Sequence, residues 1–527
     1  MIKFFEKSMP TTMLICSVLF SGLFFLSCSK NGHQYFKSEG DTSYYVDSDL
    51  GNDSYPGTSP DSAWQTLSRV NDTLFAPGDY ILFKCGGAWT GQLYPKGSGE
   101  DGNPIVIDKY GQGDLPRISG AGQVENAVYL FNQEYWEINN LDISNYNESG
   151  PALRKGMYIQ AEDFGAVRHI HMKNLVVHDV NGSMETRKNG GVFVEVTGIE
   201  EPTWFEDILV EGCEFYDVDR IGWNNMSTWM HRTLTTNDNW HPSKDIIIRN
   251  NYFERTGGNA LIVRVTDGPV FEHNIFYNCG VKGTGNTNYT FNCDNALIQY
   301  NEAYGTHYTP GTPDGGGLNS DWRCKNTIIQ YNYSHDNEHG GQLICNDGGV
   351  STSFNDGSII RYNVYVNNGH HVFRVSGTPT NSLVYNNTIY LGPKQSGIKI
   401  IWHKSWGGYP DGVEYFNNII YNLGTGNYYD FGESTNNVFD YNIFAGNSAA
   451  NEPDDPHKIT ADPEFVDVGS GQNGWEIAGG YQLKSTSPAI DSGILLPSHA
   501  TKDYFGHPVP YNDVVDRGAF EYQGNTQ

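Results

Sequence analysis

The 527-residue sequence predicts an all-β protein, a single-stranded right-handed parallel β-helix with a short amino-terminal capping helix. Three observations point there. First, Asn followed by apolar residues recurs in "RNNYF", "EHNIF", "QYNEAY", "QYNYS", "RYNVYV", "YNNTIY", "FNNIIY" and "DYNIF", aligning Asn251, Asn274, Asn301, Asn332, Asn363, Asn387, Asn418 and Asn442. Second, the gaps of 23, 27, 31, 31, 24, 31 and 24 residues leave room for only two or three short strands per unit. Such a unit cannot bury its own apolar face and must stack on its neighbours. A propeller blade would need roughly 40–50 residues. Third, the chain holds 61 Gly in 527 residues with 13% aromatics, and helix-period apolar patterns are scarce after the first segment, so turns and short strands dominate.

Taken in chain order, residues 1–27 read as an export signal. Lys3 and Lys7 precede an apolar run from Met13 to Leu26 that falls short of the roughly 20 residues a membrane helix needs. The following "FLSC" resembles the lipobox of bacterial lipoproteins of Bacteroidetes type. That resemblance implies lipidation of Cys28, a tether over 28–42, and an outer-membrane or cell-surface location, periplasmic display being the other orientation. The β-helix is expected over 43–522. An amphipathic stretch near Ala63 to Val70 supplies the capping helix, and weaker repeat copies at Asn140, Asn174 and Cys213 begin the winding. At each corner Asn tolerates the left-handed conformation, and its amide can ladder onto the next coil.

The segments "YYVDSDLGNDSYPGTSPDSAWQTLSRV" and "PGDYILFKCGGAWTGQL" near the start, with "YQLKSTSPAIDSG" and "DYFGHPVPYNDVVDRGAFEY" near the end, resemble the opening and closing segments of pectate-lyase-like β-helix proteins. This covers nearly all of the mature chain and implies the fold and a carbohydrate-active role, in a superfamily that holds lyases, hydrolases, esterases, epimerases and adhesins.

A net charge of −28 excludes nucleic acid as a partner, since phosphate binding needs a basic face. The eight cysteines form no CxxC pair, and Cys213, Cys279, Cys293 and Cys345 sit in or beside apolar strands as small hydrophobes. The chain is expected to be a monomer, attached to a membrane only through lipid.

Candidate chemistry follows from register. Asp294 lies 20 residues after Asn274 and Asp321 lies 20 after Asn301, while Asp347 lies only 15 after Asn332 but ends its strand with Asn-Asp. Stacked coils would set Asp294, Asp321 and Asp347 in one acidic row. Like charges this close raise one another's pKa, as glycosidic hydrolysis requires of its acid. Calcium is a second use for such a row; hydrolysis itself requires no cofactor. Asp314, in "PDGGGLNSDW", sits where missing side chains would open a ligand floor. Later coils present Arg374, Trp402, His403, Lys404 and Trp406, aromatics for stacking on a sugar and cations to bind or deprotonate it. Three readings stay open: a glycoside hydrolase using Asp294 and Asp321, a polysaccharide lyase using calcium and Lys404, His403 or Arg374, and a non-catalytic glycan-binding solenoid. The long "GWNNMSTWMHRTLTTNDNWHPS" insertion is expected to form a groove wall.

Overall fold

The computed structural model describes residues 26–28, 34–149, 152–469 and 473–524. Three long parallel sheets of fifteen, thirteen and eleven strands run the length of the coil. They begin at Ser43–Val46, Ala88–Thr90 and Asn126–Phe131, and end at Val438–Asp440, Ile443–Gly446 and Tyr428–Asp430 respectively. The fold is the expected parallel β-helix.

Strands this short are stable because each coil is buried against the next. One inward column of the fifteen-stranded sheet runs Ile107, Ile138, Met172, Val210, Ile248, Phe271, Ile298, Ile329 and Ile360, each in register with its neighbour. All are buried in the central core. Alternation of period two sends their neighbours outward.

The asparagine ladder is present and continuous. Each Nδ2 donates to the Oδ1 of the next, from Asn251 through Asn274, Asn301, Asn332, Asn363, Asn387 and Asn418 to Asn442, at 2.9–3.0 Å. Asn442 donates to the Asp455 carboxylate at 3.0 Å, an acceptor with no proton of its own to place. One detail differs from the sequence reading. The left-handed residue is not the ladder asparagine but the one before it, including His273, Tyr300, Tyr331, Tyr362 and Tyr441. Their rings lie outside the ladder, where His273 stacks on Tyr300 and Tyr300 on Tyr331, which offsets part of the backbone strain.

The amino-terminal helix spans Leu67–Asn71, with the Thr66 hydroxyl accepting from the Arg69 N–H at 3.2 Å. Residues 34–42, expected within a tether, instead pack on the first coil. Gln34–Lys37 pairs with Thr73–Leu74, and Ser38 is buried against the Tyr44 hydroxyl. Of the expected signal at 1–27, residues 1–25 lie outside the described residues; around the expected lipidation site only the backbone of Leu26–Cys28 is described. At the carboxyl end, Tyr481, Tyr504 and Phe520 fold back along the coils onto Tyr333, Val364 and Ile419. Among the described residues, Cys213, Cys279, Cys293 and Cys345 are buried free thiols, and no helix is long and apolar enough to cross a membrane.

Candidate active site

Two adjoining cavities of about 500 and 370 Å³ open on the outer face of the eleven-stranded sheet. Arg187, Asp321 and Trp406 line both. The larger adds Asp314, Leu343, Cys345, Arg374, Ser376 and Lys404; the smaller adds Met226, Met230, Arg264, Tyr289, Phe291 and Trp322. Asp314 and Asp321 are the two carboxylates in this lining.

Strand alternation explains the membership. Ser320, Ile344, Val375 and His403 stack in one row, and Ile344 and Val375 in it face the core. The next position along the same strands therefore faces out, giving Asp321, Cys345, Ser376 and Lys404. One step before the inward row, Asn319, Leu343, Arg374 and Trp402 also face out.

Asp321 sits at the end of the strand Gly316–Ser320. Its Oδ1 accepts from the Trp322 N–H at 2.7 Å and the Cys345 thiol at 3.2 Å, and its Oδ2 from Asn319 Nδ2 at 3.3 Å. Burial raises its pKa above the ordinary carboxylate value; those three donors oppose the rise, and the charge of Asp314 adds to it. Asp314 lies at the end of the loop before the strand, with its Oδ1 3.5 Å from Arg374 Nη2. Arg374 also donates to the Pro313 carbonyl, pinning the loop. Its guanidinium is buried, so the loop is held from within the wall. Trp322 and Trp406 approach with ring centroids 6.2 Å apart, an apolar platform of the kind a sugar ring covers. Lys404 has its pKa lowered by burial and by the charges of Arg374 and Lys399.

The expected acidic row does not form. Thr290 pairs with Ser320, a separation of 30 residues, whereas Asn274 and Asn301 are 27 apart. The corner between them is thus three residues longer in the later coil, and Asp321 falls beside Phe291. Asp294 bridges to Lys325 at the following corner. Its carboxylate is ion-paired to Arg232 at 2.8 Å, and it lines neither cavity. Burial raises its pKa and Arg232 opposes the rise. Asp347 lies two residues past Cys345, where its Oδ1 accepts from the Gly349 N–H at 3.0 Å within a turn.

His403 is also displaced from its expected role. It points into the coil, where its ring nitrogens meet the hydroxyls of Ser434 at 2.7 Å and Tyr415 at 2.8 Å. Burial pushes its pKa down to about 3. Trp402 faces outward but lies against His370 and His371, with Lys399 Nζ 3.8 Å from the ring centroid, and is not in the cavity lining. Arg374, Lys404, Trp406 and Asp314 do line it. The insertion forms a hairpin, Met230–His231 with Asn239–Trp240, and Met230 reaches the smaller cavity as a wall.

Arg187, Arg264, Tyr289 and Trp322 were not singled out by sequence. Arg187 arrives from a loop more than 100 residues earlier with no local signal. Strand parity would have selected Cys345.

Asp294 therefore carries a structural expectation. Arg232 has a fully buried side chain held by Asp294, Asn292 and the Arg323 carbonyl. Asp294→Ala should cost about 3–5 kcal/mol, read by denaturant unfolding, because it leaves a buried guanidinium without its counter-charge.

No family model matches the chain. It is similar to a lacto-N-biosidase of Bifidobacterium longum subsp. longum, 25% identical over 442 residues, which is 66% of this chain and 27% of the relative. The chain thus spans about a quarter of the length of that protein. Among solved structures, two of a GH136 lacto-N-biosidase from Eubacterium ramulus align with TM-scores of 0.58 and 0.56. Each is 24% identical and covers 69% of this chain, and 67% and 66% of theirs respectively. What they share with this chain is the fold.

Proposed function

We propose that the chain is a glycoside hydrolase whose working carboxyl groups are Asp314 and Asp321. The observation that carries this reading is their placement in one cavity beside a tryptophan platform. Glycosidic cleavage needs one protonated carboxyl group to release the leaving oxygen and one ionised partner at the sugar carbon. Asp321, with a raised pKa next to a second carboxylate, meets the electrostatic condition for dividing those roles. Arg374 holds Asp314, and Trp322 and Trp406 would stack on the sugar. The similarity to a lacto-N-biosidase supports hydrolysis over elimination and makes lacto-N-biose-terminated oligosaccharides the first substrates to test.

The test is to incubate the purified protein with those oligosaccharides and with a panel of plant, algal and host glycans. New reducing ends without an unsaturated uronate are expected. An unsaturated product would establish a lyase, and binding without cleavage across the panel would establish a glycan-binding solenoid.

The proposal includes export and lipid attachment through Cys28, supported by the basic start, the short apolar run and "FLSC". Cys28→Ala should move the protein from the membrane to the soluble fraction of cells. Unchanged membrane association would overturn the anchor.

A further inference from the structure

On a different face of the solenoid, the outer side of the fifteen-stranded sheet, two histidines and a glutamate converge. Glu137 belongs to the strand Trp136–Asn139, and His169 and His171 to Ala166–Lys173. Glu137 and His171 are register partners, which stacks them one strand spacing apart. His169 has a left-handed backbone, and its ring lies 3.8 Å from that of His171, centroid to centroid. Pure alternation would put 169 and 171 a full pleat apart; the local kink brings both rings to one spot.

The hydrogen bonds then assign the tautomers. The Asp207 carboxylate meets His169 Nδ1 at 2.8 Å and His171 Nε2 at 2.9 Å. A carboxylate only accepts, so both of these nitrogens carry their protons. That leaves His169 Nε2 and His171 Nδ1 on the side away from Asp207. Both face Glu137 Oε1, at 3.4 and 3.9 Å. His171 Nδ1 is buried with no hydrogen-bond partner. His169 Nε2 makes one long hydrogen bond to that oxygen while His171 Nδ1 makes none, and a cation between the three atoms would engage all of them at once. Lys173 Nζ does not fill that place, since it binds the other oxygen, Glu137 Oε2, at 3.1 Å.

We infer that Glu137, His169 and His171 form a zinc site, with Asp207 as the carboxylate that orients both imidazoles. The ligand atoms all lie within 4.8 Å of one another. A tetrahedral zinc with bonds of about 2.0–2.1 Å needs ligand separations of roughly 3.3 Å, so side-chain adjustments of up to about 1.5 Å close the shell. Two imidazoles and one carboxylate suit zinc, whereas calcium prefers a set of oxygens. A carboxylate accepting from the remote nitrogen of each metal-binding histidine is the usual support for such a site. A water would complete the coordination. The ion would join the coil of Glu137 to that of His169 and His171, with Asp207 on the coil beyond, as a staple away from the cavities.

The test uses the full chain stripped with a chelator and then titrated with zinc chloride by calorimetry, with thermal unfolding in parallel. One zinc per chain and a raised melting temperature are expected. His171→Ala should weaken binding at least about 100-fold, and Asp207→Asn about 10-fold. Because Asp207→Asn keeps shape, it separates lost coordination from misfolding. Hydrolysis should be unchanged by stripping, so this result stands or falls apart from the proposed activity. A second cluster, His339, His370 and His371, is the internal control. Binding that survives His171→Ala and is lost in His370→Ala would overturn the assignment, as would the absence of zinc binding by the stripped parent.

Discussion

Asp321→Asn is expected to lower the turnover of a cleaved glycan by about 10³-fold while leaving the protein folded and at least as stable at neutral pH. Asn keeps the shape but neither ionises nor delivers an acidic proton. The stability statement follows from linkage. Folding raises the Asp321 pKa above 3.8, so the native state holds the proton more tightly than the unfolded chain. The stability this confers is complete below the unfolded value and is lost as pH rises through the folded one. At neutral pH the ionised carboxylate is a net cost that the amide removes. Unfolding of both proteins across the acid range should show Asn gaining on Asp as pH increases, the opposite of what a salt-bridged structural aspartate would show. Asp314→Asn should produce a comparable loss of turnover. With an activated aryl glycoside, the variant that lacks the acid should lose less than the variant that lacks the ionised partner, because a good leaving group needs no proton. Full activity in Asp321→Asn would remove the hydrolytic assignment from this cavity.

Much of the solenoid is visible in the sequence because its signal is local and repeated. Every ladder asparagine from Asn251 to Asn442 does the same job in the same setting, and eight copies outweigh irregular spacing. The site is built from the exceptions. Asp294 and Asp321 share a 20-residue distance from their asparagines, yet the corner between the thirteen- and eleven-stranded sheets gains three residues from one coil to the next. That insertion slides Asp321 off Asp294 and onto Phe291. Distance along the chain measures distance in space only where the loops are equal. His403 and Lys404 illustrate a subtler limit, since one residue of parity decides between the core and the cavity. Asp314 reads as a turn residue in isolation; its position becomes informative only when Arg374, 60 residues later, is seen holding the loop. Arg187 and Arg264 reach the cavity from earlier coils, and no spacing rule applies to a wall assembled from separate loops.

The ladder itself yields the second large effect. Asn332→Ala should destabilise the protein by about 3–5 kcal/mol, although it removes little apolar volume. Asn332 Nδ2 donates to the Ile298 carbonyl at 2.8 Å, the Gln330 carbonyl at 2.8 Å and Asn363 Oδ1 at 2.9 Å. Its Oδ1 accepts from the Asn301 backbone N–H at 2.9 Å and from Asn301 Nδ2 at 3.0 Å. Alanine takes the side-chain acceptor from the buried Asn301 N–H and one donor from each of the two carbonyls, while Asn363 Oδ1 keeps the Asn332 N–H and Asn301 Nδ2 keeps the Phe271 and Gln299 carbonyls; each group left unsatisfied costs about 1–3 kcal/mol. Asn332→Asp should be no better than alanine. Its second oxygen would face the two carbonyls that Nδ2 now satisfies, and no solvent reaches the site to relieve them, since Asn332 is fully buried. In a solenoid each coil contacts only its neighbours, so the damage should stay near the substituted coil before the whole unfolds. Hydrogen exchange should therefore show lost protection at the backbone amides of 301 and 332 while Ile138 and Met172, several coils away, keep theirs. Uniform loss along the chain would mean that the ladder acts as one cooperative element rather than as a series of paired joints.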